Sequence, residues 1–182
     1  KSLATRPKVA CLSYTPFEST IFFDNDTLIL QNLDPAYEIL QKYSIAGCQV
    51  SLWQKPRHAE IHRVKVPLLF PQINTGVLVY SGSKETRAFM QRWNANFEKS
   101  WDVGVTCDQV SFRETLWESQ LEFYVLPEQM NKRLIDPCEL IYSDKPPPMV
   151  VHLPILTPAK TWRHKLRQRI SEMYYIGRIS RN

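Results

Sequence analysis

Two aspartates one residue apart are the side chains of this sequence that point most directly to chemistry. Asp24 and Asp26 stand between two apolar runs, residues 21–23 and 28–30. Carboxylates are seldom placed beside a protein core unless another group compensates their charge. Oxygen ligands suit hard divalent cations, and no thiolate or imidazole adjoins the pair in the sequence. The pair therefore predicts a site for Mn²⁺ or Mg²⁺, with a polar turn after a strand as the alternative interpretation.

Apolar runs predict the strands that must position such a site. They indicate a core strand ending at Phe23 and further strands over residues 73–80, 122–126 and 149–153. Residues 46–71 are rich in Lys, Arg, His and Pro, so we expect loops to dominate there.

Helix-start signals separate these strands. Asp34-Pro35 predicts a helix start with Asp34 as N-cap and Pro35 as the first helical residue, and Ser83 can cap a helix whose buried face repeats every four residues from Phe89 to Phe97. Asp108 is a candidate N-cap for the next helix. Strands that alternate with helices predict an α/β sandwich around a largely parallel or mixed sheet, in which ligands collect at the carboxyl ends of strands.

The positive charge of the chain is concentrated at its C-terminal end. Residues 158–182 hold seven Lys or Arg and one Glu, a net charge of +6, and the whole chain carries +5, so residues 1–157 carry −1. We therefore expect a catalytic domain over 1–157 that binds no nucleic acid, followed by a basic amphipathic helix or tail over 158–182. That helix is expected to dock on the domain, with contact between residues 159–176 and an anionic membrane as the alternative. No run approaches the roughly 20 apolar residues of a membrane span, and cytoplasm is the default expectation for localisation.

Further polar residues follow the predicted strands in a fixed order, at Asn74-Thr-Gly76, Asp108-Gln109, Asn131 and His152. With the Asp-x-Asp pair, this order resembles the motif set of glycogenin-like retaining glycosyltransferases, which transfer a sugar from a nucleotide diphosphate donor. The resemblance runs from Lys8 to about Trp162. It implies a partial GT-A-type α/β sandwich, with a mixed sheet flanked by helices.

The resemblance also implies roles for individual residues. Asp24, Asp26 and His152 would coordinate Mn²⁺, or Mg²⁺ in its place, with the donor diphosphate. Three positions, Lys8, Gly76 and Lys160, would bind the donor and its phosphates.

The catalytic positions implied by the resemblance are Asn74, Asp108 and Gln109. Asn74 would face the donor sugar, and Asp108 with Gln109 would lie near the reacting centre. Asp108 could stabilise an oxocarbenium-like centre or form a covalent adduct, whereas deprotonation of the acceptor by the departing phosphate is the path more usual for the family. The expected donor is a UDP-hexose, and the acceptor is an unidentified glycan, lipid or protein.

Two departures from the family pattern keep other functions open. The family carries a nucleotide-binding half-domain before the lysine, whereas this sequence begins seven residues before Lys8, so we expect an N-terminally incomplete domain. The stretch from Pro154 to Lys160 lacks the glycine usual before the second lysine. One alternative is therefore a truncated, inactive transferase-like domain that binds sugar or a partner. A more remote alternative is a haloacid-dehalogenase-type phosphatase, although its motif requires Gly and then Thr after the second Asp, where Thr27 follows directly.

Overall fold

A computed structural model describes residues 5–50, 63–133 and 146–152. These residues fall into two compact units, which we describe separately: unit 1 lies within Lys1–Phe23 and Leu33–Pro127, and unit 2 within Asp24–Asn32 and Glu128–Asn182. In chain order, the described elements are α1 (Thr5–Cys11), β1 (Ser19–Phe23), β2 (Thr27–Ile29), α2 (Asp34–Glu38), β3 (Ile45–Val50), β4 (Gln72–Ser81), α3 (Lys84–Asp102), α4 (Asp108–Trp117), β5 (Phe123–Leu126), β6 (Lys132–Arg133) and β7 (Val150–His152).

Unit 1 is built on a four-stranded sheet with the order β1-β4-β3-β5. β1 and β3 run antiparallel to β4, and β3 runs parallel to β5. The prediction of a mixed sheet is therefore confirmed. β4 is buried over nine of its ten residues, whereas β1 is an edge strand whose residues are exposed or half-buried. The prediction of a core strand ending at Phe23 was wrong in this respect, because an edge strand has a neighbour on one side only.

Residues 46–71 were predicted to be dominated by loops, and the start of this stretch belongs to a strand that the prediction missed. β3 occupies Ile45–Val50, and its first four residues are buried in the middle of the sheet. This stretch has the composition of a loop because charged residues follow the strand and Gly47 lies within it. The glycine has a packing role, since a Cβ atom at position 47 would lie 2.5 Å from Ile73 Cγ2.

The helices of unit 1 cover the sheet as predicted. Ser83 caps α3, with its Oγ accepting a hydrogen bond from the Thr86 backbone N–H at 3.2 Å. α3 packs against α1 and α4, and α4 packs against β4. Trp93 of α3 meets Phe112 of α4 edge to face, with ring centroids 4.7 Å apart. α2 begins one residue earlier than predicted, because Leu33 rather than Asp34 occupies its N-cap position.

Unit 2 contains a three-stranded sheet with the order β2-β7-β6. β2 runs antiparallel to β7 and places Thr27 opposite His152, while β6 runs parallel to β7 and places Arg133 opposite the same residue. His152 therefore ends the central strand of this sheet.

No helix in the described ranges has both the length and the apolar character needed to cross a membrane. The predicted basic helix over 158–182 and its membrane contact through 159–176 lie outside the described residues.

Candidate metal site and polar cluster

Asp24, Asp26 and His152 come together in unit 2, as the resemblance implied. One ligand atom from each of the three side chains lies within 4.8 Å of the other two. His152 Nε2 lies 3.0 Å from Asp26 Oδ1, and both side chains are largely shielded from solvent. We call these three residues the metal trio.

A turn and a strand pairing assemble the metal trio. The Thr27 backbone N–H donates to the Asp24 carbonyl at 3.2 Å and closes a four-residue turn, and the Thr27 hydroxyl donates to the same carbonyl at 2.7 Å. Because Thr27 pairs with His152 across β2 and β7, this turn carries both carboxylates to the end of β7.

The donor set of the metal trio fits a divalent cation of the Mn²⁺ or Mg²⁺ type. Two carboxylates and one imidazole combine hard oxygen ligands with a nitrogen ligand. Two carboxylates this close also repel each other, and a cation between them relieves that repulsion. The imidazole is held from its other side, since His152 Nδ1 lies 3.1 Å from Asn131 Oδ1.

A second group of candidate residues lies in unit 1, where β4 departs from regular pairing. Gly47 pairs with Leu78 and Gln49 with Ile73, so four residues of β4 stand opposite one residue of β3. The ladder with β1 ends where Phe23 meets Val77. Residues 74–76 of β4 therefore have no paired residue in either neighbouring strand. Such irregularities re-aim side chains and are frequent beside active sites.

Asn74 and Gln109 contact each other at this irregularity. Asn74 Oδ1 accepts a hydrogen bond from the Gly76 backbone N–H at 3.0 Å and lies 3.5 Å from the donor Gln109 Nε2. Gln109 Oε1 is buried and has no hydrogen-bond partner among the residues described.

Asp108 is the centre of this polar cluster, which comprises Lys8, Asn74, Thr75, Asp108 and Gln109. Its Oδ2 accepts a hydrogen bond from Thr75 Oγ1 at 2.7 Å and lies 3.1 Å from Lys8 Nζ. Lys8 Nζ also donates to Thr75 Oγ1 at 3.3 Å and lies 5.6 Å from the centre of the Phe22 ring. With its side chain 14% exposed, Lys8 is no solvated surface charge.

The alternative interpretation of Asp108 as a helix N-cap was wrong. Cys107 occupies the N-cap position of α4, and Asp108 is the first helical residue. Its carboxylate is engaged by Lys8 and Thr75, and its carbonyl accepts from Trp93 Nε1 at 3.3 Å. The Asp108 carboxylate therefore pairs with Lys8 on another helix instead of capping its own helix.

The structure thus connects five of the predicted site residues within unit 1 and three within unit 2, while Lys160 lies outside the described residues. It adds Thr75 and Asn131, to which sequence analysis gave no role. The available signals were weak. Thr75 stands inside the Asn-Thr-Gly motif, and Asn131 follows the predicted strand over 122–126.

Comparison with known proteins identifies the family. The family model for nucleotide-diphospho-sugar transferases matches residues 19–166, a range that includes every candidate site residue except Lys8. No curated protein sequence matches the chain significantly.

Similar solved structures support the same fold. The galactosyltransferase LgtC, in complex with donor and acceptor sugar analogs, superposes with a TM-score of 0.59 at 14% identity and covers 94% of this chain and 67% of its own. An active-site mutant of LgtC gives a TM-score of 0.62 at 15% identity, covering 94% and 68%. The glycosyltransferase GlyE of Streptococcus pneumoniae gives 0.52 at 16% identity, covering 93% of this chain and 43% of GlyE.

These relations exclude the phosphatase that the sequence left open as an alternative. The family is one of sugar transferases rather than of haloacid-dehalogenase-type phosphatases, and the fold is that of GT-A glycosyltransferases. The chain belongs to the nucleotide-diphospho-sugar transferase family.

Proposed function

We propose that this chain is a metal-dependent glycosyltransferase that moves a hexose from a UDP-sugar to an acceptor hydroxyl with retention of configuration. The observation that carries the proposal is the metal trio, in which Asp24, Asp26 and His152 present ligand atoms within 4.8 Å of one another. A member of a family defined by nucleotide diphosphate donors has a use for such a site, since the diphosphate is the leaving group.

The metal trio would hold Mn²⁺, with Mg²⁺ as the substitute. A bound divalent cation neutralises negative charge that develops on a diphosphate as the glycosidic bond breaks. Asp24 and Asp26 would supply anionic oxygen ligands. His152 would bind through Nε2 as a neutral imidazole, because only the deprotonated nitrogen has a lone pair to offer.

In the polar cluster, Lys8 would contact donor phosphate while remaining beside Asp108. Asn74 and Gln109 would orient the sugar, a role that suits amide side chains placed on a rigid strand and helix. The short contact between Asp108 and Thr75, 2.7 Å, supports a fixed carboxylate whose orientation does not depend on the substrate.

Asp108 is better suited to stabilise charge than to attack carbon. Its Oδ2 is already bound by an ammonium and a hydroxyl, and hydrogen bonds and ion pairs of this kind lower the nucleophilicity of a carboxylate oxygen. Its negative charge would stabilise an oxocarbenium-like centre electrostatically. Retention would then follow from attack on the face from which the phosphate leaves, with a phosphate oxygen taking the acceptor proton.

The acceptor is proposed only as a hydroxyl of a glycan, lipid or protein. The LgtC structure contains donor and acceptor sugar analogs, which supports a search that begins with sugar acceptors.

The experiment is a donor screen with the purified chain. UDP- and GDP-sugars are incubated with Mn²⁺ and a panel of sugar acceptors, and nucleotide release is measured together with the anomeric configuration of the product by NMR. We expect release from a UDP-hexose that is lost in Asp24→Asn and in Asp26→Asn. Asp102→Asn is the matched control, because Asp102 is an exposed carboxylate at the end of α3 and should leave the rate unchanged.

Two results would contradict the proposal in different ways. Binding of a UDP-sugar without release or transfer would favour the inactive sugar-binding domain. A melting temperature that neither Mn²⁺ nor UDP changes would argue against any nucleotide-sugar function of this chain.

A further inference from the structure

We propose that Asn131 is a positioning residue for the metal ligand His152: its side-chain oxygen holds the Nδ1–H of the imidazole and thereby presents Nε2 to the cation. This inference rests on the proposed metal site, and it assigns a function to a residue outside the metal trio. The contact that carries it is the distance of 3.1 Å between His152 Nδ1 and Asn131 Oδ1.

The backbone fixes Asn131 beside the imidazole. Asn131 is the last residue of a 3₁₀ helix, Glu128–Asn131, and the next residue begins β6. β6 pairs with β7, and the Met149 backbone N–H donates to the Gln129 carbonyl at 2.8 Å. His152 therefore lies in this sheet and Asn131 directly precedes one of its strands, which is the kind of support that keeps a binding side chain in place.

The chemistry of the contact determines which nitrogen carries a proton. An amide oxygen can only accept a hydrogen bond, so His152 Nδ1 must donate one and must be protonated. A neutral imidazole has one N–H, and with that proton on Nδ1 the lone pair is at Nε2. Nε2 is also the atom that lies 3.0 Å from Asp26 Oδ1, a contact between two acceptors that a bound cation, or a second proton on the ring, must bridge.

The remaining atoms of Asn131 support a specific use of its oxygen. Asn131 is 6% exposed, and its Nδ2 is buried without a hydrogen-bond partner in the described part of the chain. A buried amide N–H without a partner is unfavourable, and a leucine of similar shape would avoid that penalty. An apolar residue at position 131 would lose the hydrogen bond to His152, which is the described interaction that favours an amide there.

A histidine restrained in this way binds a cation more tightly, because its ring already has the orientation and the tautomer that the cation requires. Outer-shell partners of ligating histidines typically change metal affinity by about 10–100-fold when they are removed. We therefore expect Asn131→Leu to weaken Mn²⁺ binding by about that factor.

The test combines calorimetric titration of the full chain with Mn²⁺ and ¹⁵N NMR of the His152 ring. Asn131→Asp is the informative second variant, since it keeps an acceptor oxygen and should bind Mn²⁺ within about 3-fold of the wild type or more tightly. Asn94→Leu is the matched control in α3, because Asn94 Oδ1 has no partner among the described residues and is not part of unit 2. In the wild type, with or without diamagnetic Mg²⁺, we expect a proton on Nδ1.

The outcomes separate this inference from the proposed function. An unprotonated Nδ1 in the wild type would overturn the role of Asn131, whether or not metal binds. Equal Mn²⁺ affinity in the wild type and Asn131→Leu would do the same while leaving the metal site intact, as would equal losses in the Leu and Asp variants. Failure of the wild type to bind Mn²⁺ would instead contradict the proposed metal dependence, and the NMR result would still decide the Asn131 hydrogen bond.

Discussion

Replacement of Lys8 by methionine is expected to lower the free energy of unfolding by about 3 kcal/mol. The ammonium lies 3.1 Å from Asp108 Oδ2, and the two side chains are only 14% and 11% exposed. At an effective dielectric constant of about 20, two unit charges at this separation attract by about 5 kcal/mol. Desolvation offsets much of that attraction, but removing one partner of a buried pair still costs about 3–5 kcal/mol. Since Thr75 continues to donate to the carboxylate, we expect the lower end of that range.

Urea unfolding followed by tryptophan fluorescence measures this loss. With a slope of about 2 kcal/mol/M, the midpoint should fall by about 1.5 M without a change in slope. Asp108→Asn and the double variant complete a mutant cycle, in which a coupling of about 0.5–3 kcal/mol is expected for residues in contact. Lys84→Met is the matched control, because Lys84 is exposed at the start of α3 and should change stability by less than about 0.5 kcal/mol. Additive effects of Lys8→Met and Asp108→Asn would show that the two side chains do not stabilise each other.

Three further predictions concern packing, pH and metal. Gly47→Ala should destabilise the chain by about 1–3 kcal/mol in urea unfolding, because its new Cβ would lie 2.5 Å from Ile73 Cγ2, and unchanged stability would contradict the packing described. Burial raises the pKa of Tyr80 above its ordinary value of 10.0, so ionisation of this side chain is less favourable in the folded chain than in the unfolded chain. The contribution of neutral Tyr80 to the free energy of unfolding is therefore fully present below pH 10 and is lost as the pH rises through the folded-state pKa. Unfolding measured across that range should therefore depend less on pH in Tyr80→Phe, and identical profiles would count against the shift. Mn²⁺ at about 100 times its dissociation constant should stabilise the wild type by about 2.7 kcal/mol in thermal melts, and equal stabilisation of Asp26→Asn would be inconsistent with the metal trio.

Local patterns were sufficient to predict the elements that depend on local chemistry. The apolar run over 73–80 corresponds to β4, and Ser83 followed by the spacing of Phe89, Trp93 and Phe97 corresponds to a capped helix with its inner face buried. In both cases the signal and the structure involve residues close in sequence.

The errors occurred where distant residues determine the outcome. β3 contains a glycine whose requirement becomes visible only when Ile73 of β4 lies against it. Asp108 has the residue type of a helix cap, but Lys8, one hundred positions earlier, engages its carboxylate. Strand order and register also depend on such contacts, which single-sequence patterns do not contain.

The candidate site shows the same division. The order of motifs indicated which residues to consider, and the resemblance placed Asp24, Asp26 and His152 together. The pairing of Thr27 with His152 and the hydrogen bond from His152 to Asn131 are register effects within unit 2. A sequence in which residues 27, 131 and 152 are far apart gives no local indication of either.

Nucleotide release from a UDP-hexose, measured across a Mn²⁺ titration, tests whether this chain uses a nucleotide-sugar donor in a metal-dependent reaction. After removal of metal by a chelator, we predict no release above the rate of Asp26→Asn, and a saturable return of release when Mn²⁺ is added to the wild type. Release that persists at the wild-type rate without metal, or that returns equally in Asp26→Asn, would contradict a metal-dependent reaction at the metal trio.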